Sequence, residues 1–78
     1  MEEQIKQVMA DILDLDAGLI DESTTQDNTP TWDSLAQINL LVALEQEFGL
    51  VFDAAEAESM LSFQDILDTV DRKMMQNK

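Results

Sequence analysis

Apolar residues recur at helical spacing in three separate parts of this chain, and that periodicity restricts its fold more than any other feature. Near the N-terminus the stripe consists of Ile5, Val8, Met9, Ile12 and Leu13. Their spacing is typical of one face of an amphipathic helix. No segment alternates apolar and polar residues as a half-buried strand does. The sequence therefore predicts an all-α fold.

Glycines predict where the first two helices end. The first helix runs from residue 2 to about residue 15, with Gly18 as its left-handed stop. The second runs from Ser34 to Phe48 and is stopped by Gly49. It is apolar over most of its circumference, which predicts that it packs on several sides at the centre of the fold.

Two further helices are predicted in the last third of the chain. A short one runs from Asp53 to about Met60, and Ser62 begins the last one with Asp65 at capping-box spacing. The cations near its C-terminal end are Arg72, Lys73 and Lys78. We therefore predict one domain over residues 1–78, a small four-helix bundle with three longer helices, one short helix and a long first loop.

The loop over residues 16–33 is polar and rich in turn-forming residues. Leu19 and Ile20 are expected to pack it onto the core. Ordered loops longer than about 12–15 residues are usually functional. This one leads directly to Ser34.

Strong acidity restricts the possible partners. Seventeen Asp and Glu against four Lys and Arg leave a net charge of -13. Such a surface repels nucleic acid and anionic membranes, so we expect neither, and we expect partners with basic patches. The N-terminus is acidic and no long apolar run follows, which favours a cytoplasmic protein. We also expect a monomer. Because the chain has no Cys and no His, we expect no disulfide and no metal site.

Ser34 stands at the start of the second helix, and two interpretations of it remain open. With Gln37 it has the S-x-x-Q spacing of a capping box, which makes its hydroxyl the N-cap. Asp33 is also a suitable cap, which leaves the Ser34 hydroxyl exposed where helix amides and the helix dipole favour a phosphate group. A hydrolase is excluded, because no His, no Cys and no nearby Lys is present to take the serine proton.

The segment WDSLAQINLLVALEQEFGLVF resembles the acyl carrier proteins and their peptidyl carrier relatives. The shared features are the Asp-Ser-Leu motif, the LE-x-EF pattern at residues 44–48, the preceding long loop and the strong acidity. The resemblance implies that Ser34 carries 4′-phosphopantetheine, transferred from coenzyme A by a phosphopantetheinyl transferase, and that Asp33 positions the serine. It implies a non-catalytic carrier that holds an acyl or aminoacyl group as a thioester during fatty acid, polyketide or related biosynthesis.

The resemblance also implies contacts with partner enzymes. These are the transferase, an acyl- or aminoacyl-loading enzyme, and synthases or acyltransferases with basic docking patches. The residues expected at those contacts are Trp32, Leu35, Glu45 and Glu47. For Trp32 and Leu35 packing within the protein is the open alternative, and for the two glutamates it is a solvated helix face.

Carriers of this family often hold the acyl chain between their helices. The residues at matching positions are Leu41, Leu44, Phe48, Phe52, Ala57, Met60 and Leu61. Each of these would also serve as a core residue in any helical bundle, so ordinary packing is the alternative interpretation.

The chain departs from the family pattern just after the motif. Carriers of fatty acid synthesis usually have acidic residues there, whereas this chain has Ala36, Gln37, Ile38 and Asn39. Trp32 also replaces the small residue usual before the aspartate. These changes favour a dedicated carrier of a specialised pathway over the housekeeping fatty acid carrier.

The acidity and the helical pattern also suit two other classes of protein. A calcium-binding loop that starts at Asp14 has Asp16 at position 3, but Gly18 falls at position 5 and Thr25 at position 12, so the EF-hand pattern fails. An unmodified acidic helical module for protein interaction remains open, because Ser34 would still cap a helix.

Overall fold

The structure, a computed structural model, describes residues 1–76, and its regular secondary structure is helical. Its elements are α1 (Glu2–Leu13), a short 3-10 turn (Ala17–Leu19), α2 (Ser34–Phe48), α3 (Ala54–Ser59) and α4 (Phe63–Gln76). The expected all-α bundle of three longer helices and one short helix is therefore confirmed. Lys78 lies outside the described residues.

The core is built from apolar side chains of the three long helices and of the segments between them. Its fully or almost fully buried members include Ile5, Met9, Leu13, Ile20, Trp32, Leu40, Leu44, Met60, Ile66 and Val70. Ile20 thus packs the first loop onto the core as expected. Leu19 does not, since 69% of it is exposed.

The end of α1 differs from the prediction. Asp14, not Gly18, adopts the left-handed conformation, with φ of 57°. The Leu15 N–H then bonds the Ala10 carbonyl at 3.0 Å, which closes this end of the helix. Asp is among the few non-glycine residues that tolerate this conformation, so the helix stops earlier than the glycine position indicates. Gly49 does end α2, with φ of 65°, as predicted.

Only one side of α2 packs against the rest of the protein. Ala36, Leu40 and Leu44 are buried. The apolar residues of α2 that remain largely exposed are Leu35 (67%), Ile38 (58%) and Val42 (47%). The prediction that α2 is covered on several sides is therefore wrong, and the apolar residues on its open face are available for other contacts.

The short helix α3 buries none of its side chains, and polar contacts hold its N-terminal end. Asp53 and Glu56 form a reciprocal capping box, with bonds of 2.8 and 3.0 Å. The Glu56 carboxylate also pairs with Lys73 of α4 at 2.8 Å, and this hydrogen bond lowers the pKa of Glu56. The Lys73 ammonium lies 5.9 Å from the centre of the Phe52 ring. We call the Glu56–Lys73 contact the ionic tie of α3.

Candidate functional site

The loop that precedes α2 is attached to the start of α4. Gln26 donates its N–H to the Leu61 carbonyl at 2.8 Å, and Phe63 donates its N–H to the Thr24 carbonyl at 2.9 Å. Because both bonds join residues distant in sequence, they place the loop beside the segment that links α3 to α4. The following residues of the loop then enter α2 at Asp33.

Asp33, and not Ser34, is the N-cap of α2. Its backbone is extended, and its Oδ1 accepts the Ala36 N–H at 2.8 Å. Ser34 is the first residue of the helix and is exposed. Its hydroxyl takes no part in the hydrogen bonds found within residues 1–76. Gln37, the expected partner of Ser34 in a capping box, bonds elsewhere.

This arrangement suits a phosphate ester on Ser34. The first amides of a helix lack partners within the helix, and the positive end of the helix dipole lies there, so both favour an anion. No base is hydrogen-bonded to the Ser34 hydroxyl among the described residues, so the serine has no means of activating itself as a nucleophile. The residues present therefore fit an attached phosphodiester that another enzyme installs.

A groove of about 420 Å³ lies beside Ser34, between α2 and α3. It is lined by Gln26, Ser34, Gln37, Ile38, Leu41, Ala57, Glu58 and Leu61. Most of the lining surface is apolar, while Ser34, Glu58 and the two glutamine side chains add polar groups. An extended arm that starts on Ser34 therefore has an adjacent surface along which it can lie.

Only three of the seven residues expected to line an acyl site lie along this groove, namely Leu41, Ala57 and Leu61. Their contact with an acyl chain stays a prediction. Leu44 and Met60 are fully buried in the core, so they do not reach the groove. The other two predicted residues, Phe48 and Phe52, are partly buried against the core and are also outside the lining.

Four groove residues were not predicted from the sequence: Gln26, Gln37, Ile38 and Glu58. Helical spacing could have identified Gln37 and Ile38, which follow Ser34 at i+3 and i+4 and so share its face of α2. No such signal existed for Gln26 and Glu58, because they join the groove through tertiary packing.

Trp32 is not an exposed partner contact, and that expectation is corrected. Its side chain is buried, with 2% exposed, and its Nε1–H donates to Gln37 Oε1 at 2.6 Å. The packing alternative is the one the structure shows. The indole can be buried in the core because it has a large apolar area and because its N–H has Gln37 as a hydrogen-bond partner.

The other expected contact residues differ in their availability. Leu35 is 67% exposed next to Ser34, which makes core packing wrong for this residue and leaves the partner contact as a prediction. Glu47 is exposed, and its contact also stays a prediction. Glu45 is half-buried, and its Oε2 accepts the Phe52 N–H at 2.9 Å, so this carboxylate already has a partner within the chain.

No helix within residues 1–76 combines the length and the apolar character that a membrane span requires. No protein-family model matches the chain. Comparison with curated proteins finds an acyl carrier protein of Thermosynechococcus vestitus, 33% identical, with 92% of this chain and 89% of that protein aligned. An acyl carrier protein of Nitratidesulfovibrio vulgaris is 30% identical over 94% of this chain and 96% of its own length.

A further relative carries the name of a polyketide synthase carrier. The polyketide-8 synthase acyl carrier protein 2 of Streptomyces avermitilis is 31% identical over 92% of this chain and 83% of that protein. Among solved structures, a holo acyl carrier protein of Geobacter metallireducens superposes with a TM-score of 0.86. It is 25% identical, and the match covers 97% of this chain and 87% of that one.

Proposed function

The chain belongs to the acyl carrier protein family, and on this premise we propose that Ser34 carries its 4′-phosphopantetheine group. Members of the family are non-catalytic carriers that act in fatty acid or polyketide synthesis and carry phosphopantetheine. When attached, this group supplies the thiol that holds the acyl cargo as a thioester. The observation that carries the proposal is the exposed Ser34 hydroxyl, which has no structural bond and opens onto the groove.

The residues around Ser34 each contribute to this role. Asp33 takes the cap of α2, which leaves the neighbouring hydroxyl accessible to a transferase. The first-turn amides and the helix dipole favour the negative charge of the phosphodiester. Leu35, exposed beside the serine, provides an apolar contact for the transferase and for later enzymes.

We further propose that this carrier serves a dedicated pathway and not the housekeeping synthesis of fatty acids. From Ser34 to Leu44 the helix has no charged residue, and Glu45 is the first acidic one. Enzymes that dock beside Ser34 would therefore meet apolar side chains of α2, among them Leu35 and Ile38. The acidic remainder of the surface would attract basic patches at a distance.

Intact mass spectrometry tests the attachment site. The chain is incubated with coenzyme A, magnesium and a broad-specificity phosphopantetheinyl transferase, in parallel with Ser34→Ala and Ser59→Ala. Ser59 is an exposed serine close in sequence to the groove residues Ala57 and Glu58, so its variant is a matched control. We expect one added phosphopantetheine on the parent and on Ser59→Ala, and none on Ser34→Ala.

Two results would refute the proposal. A gain of mass that persists in Ser34→Ala would place the group on another residue. Failure of the parent to load with this transferase and with a cognate one would leave an unmodified interaction module in which Ser34 is only the first residue of α2.

A further inference from the structure

The side chain of Gln37 uses its whole amide group to connect three parts of the protein. Its Oε1 accepts the indole N–H of Trp32 at 2.6 Å. Its Nε2 donates to the backbone carbonyl of Ala57 at 3.1 Å and to that of Met60 at 3.0 Å. Gln37 thus joins the loop before Ser34, the first turn of α2 and the C-terminal end of α3. We call its two bonds to α3 the amide tie.

The amide tie acts at the C-terminal end of α3, where the fully buried Met60 also anchors the chain. No side chain of the helix is buried, and the last carbonyls of any helix lack partners within it. Gln37 satisfies two of these carbonyls. The ionic tie acts at Glu56, the residue before Ala57, and joins α3 to α4. The amide tie is therefore one of the contacts that set the separation of α2 and α3 beside Ser34, together with the buried side chain of Met60.

Gln37 also lies at the boundary between the groove and the core. Its side chain lines the groove, while its partner Trp32 is buried and the Met60 residue to which it bonds is fully buried. An apolar group that moved from the groove past Gln37 into the core would have to push α2 and α3 apart. It would break both bonds of the amide tie, and the freed amide donors would then need other partners.

We propose that Gln37 is a specificity-determining residue, which keeps the carried group in the open groove and out of the helical core. This inference rests on the proposed attachment of the arm to Ser34. Its consequence is that the stability of the loaded protein does not depend on the length of an apolar cargo, because added carbons stay outside the core and bury little further surface.

The amide tie can be tested first in the unloaded protein by hydrogen exchange. Gln37→Glu keeps the acceptor for Trp32 but replaces the donor of both bonds to α3 with an oxygen. Asn39→Asp makes the same chemical change at an exposed position of the same helix and serves as the control. We expect the Ala57 amide, bonded to the Asp53 carbonyl, to exchange roughly tenfold faster in Gln37→Glu only. Equal rates in all three proteins would show that Gln37 does not hold α3.

The effect on cargo is tested by loading acyl groups of increasing length onto the parent and onto Gln37→Met. This variant keeps the side-chain length but removes the amide. Thermal midpoints are compared within each protein, between a butyryl and a dodecanoyl cargo. We expect equal midpoints in the parent, and in Gln37→Met a dodecanoyl form several degrees above the butyryl form. If Gln37→Met is too unstable to load, Gln37→Glu takes its place.

A parent already stabilised by dodecanoyl cargo would overturn the inference, as would two proteins that are both insensitive to length. Intact mass is recorded before each melt, so a failure of the proposed function is recognised separately. If Ser34 accepts no group, the role in specificity fails with the proposed function, whereas the exchange rate at Ala57 still shows whether Gln37 holds α3.

Discussion

We expect Asp33→Ala to destabilise the fold, while Ser34→Ala, one residue later, leaves its stability nearly unchanged. Loss of an N-cap costs about 1 kcal/mol, within a range of about 0.5–2 kcal/mol. Loss of a negative charge at a helix N-terminus costs about 0.3–1 kcal/mol more. Because the 2.8 Å bond from Ala36 to Asp33 caps the longest helix, we expect a total of about 1–2 kcal/mol.

In a domain of this size each kcal/mol changes the melting temperature by about 4–8 °C, so Asp33→Ala should melt roughly 5–15 °C lower. Ser34→Ala removes an exposed hydroxyl without a bonding partner, so the free energy of unfolding should change by no more than about 0.5 kcal/mol. The measurement is thermal unfolding followed by circular dichroism on the unloaded proteins. Asp33→Asn is the control, since it keeps the capping oxygen and loses only the charge.

A loss of stability in Ser34→Ala as large as that in Asp33→Ala would refute this reasoning. It would mean that the serine caps α2, and that its hydroxyl is engaged in the fold instead of being free for modification.

Three further predictions concern charge and packing. The hydrogen bond with Lys73 holds the pKa of Glu56 below its ordinary value of 4.5. The contact therefore stabilises the folded protein above pH 4.5, and this stabilisation is lost as the pH falls through the lowered pKa. Glu56→Gln should therefore show a shallower fall of melting temperature in acid than the parent, whereas Glu58→Gln, an exposed neighbour, should behave like the parent. With a net charge of -13, the melting temperature should rise on addition of sodium chloride or magnesium chloride, and a constant value would contradict self-repulsion. Leu35→Ala should change the free energy of unfolding by no more than about 0.5 kcal/mol but slow loading by the transferase. Leu40→Ala, at a fully buried position, should lower the free energy of unfolding by about 2–5 kcal/mol.

The helices were predictable because their signals are local. Apolar spacing and capping residues lie within a few positions of each helix end, as Asp53 and Gly49 illustrate. The end of α1 was not predictable, because a left-handed Asp14 has a weaker sequence signal than the glycine four residues later. The position of Ser34 at the start of α2 also follows from local pattern, which is why the site could be located.

The surroundings of Ser34 were less predictable because they depend on contacts between distant segments. Gln37 has the spacing of a local cap, yet its bonds run to carbonyls 20 and 23 residues away. Periodicity identifies Leu35 and Ile38 as apolar, but it does not show whether another element covers them. That depends on where α3 packs, which no short motif encodes.

The two attachments of α3 respond differently to acid and to salt. The ionic tie at Glu56 depends on charge, so acid and salt both weaken it. The amide tie from Gln37 involves neutral groups, and neither condition titrates or screens it. As the pH falls, the contact between Glu56 and Lys73 is therefore weakened before the bonds from Gln37, so acid loosens the attachment of α3 to α4 sooner than its attachment to α2.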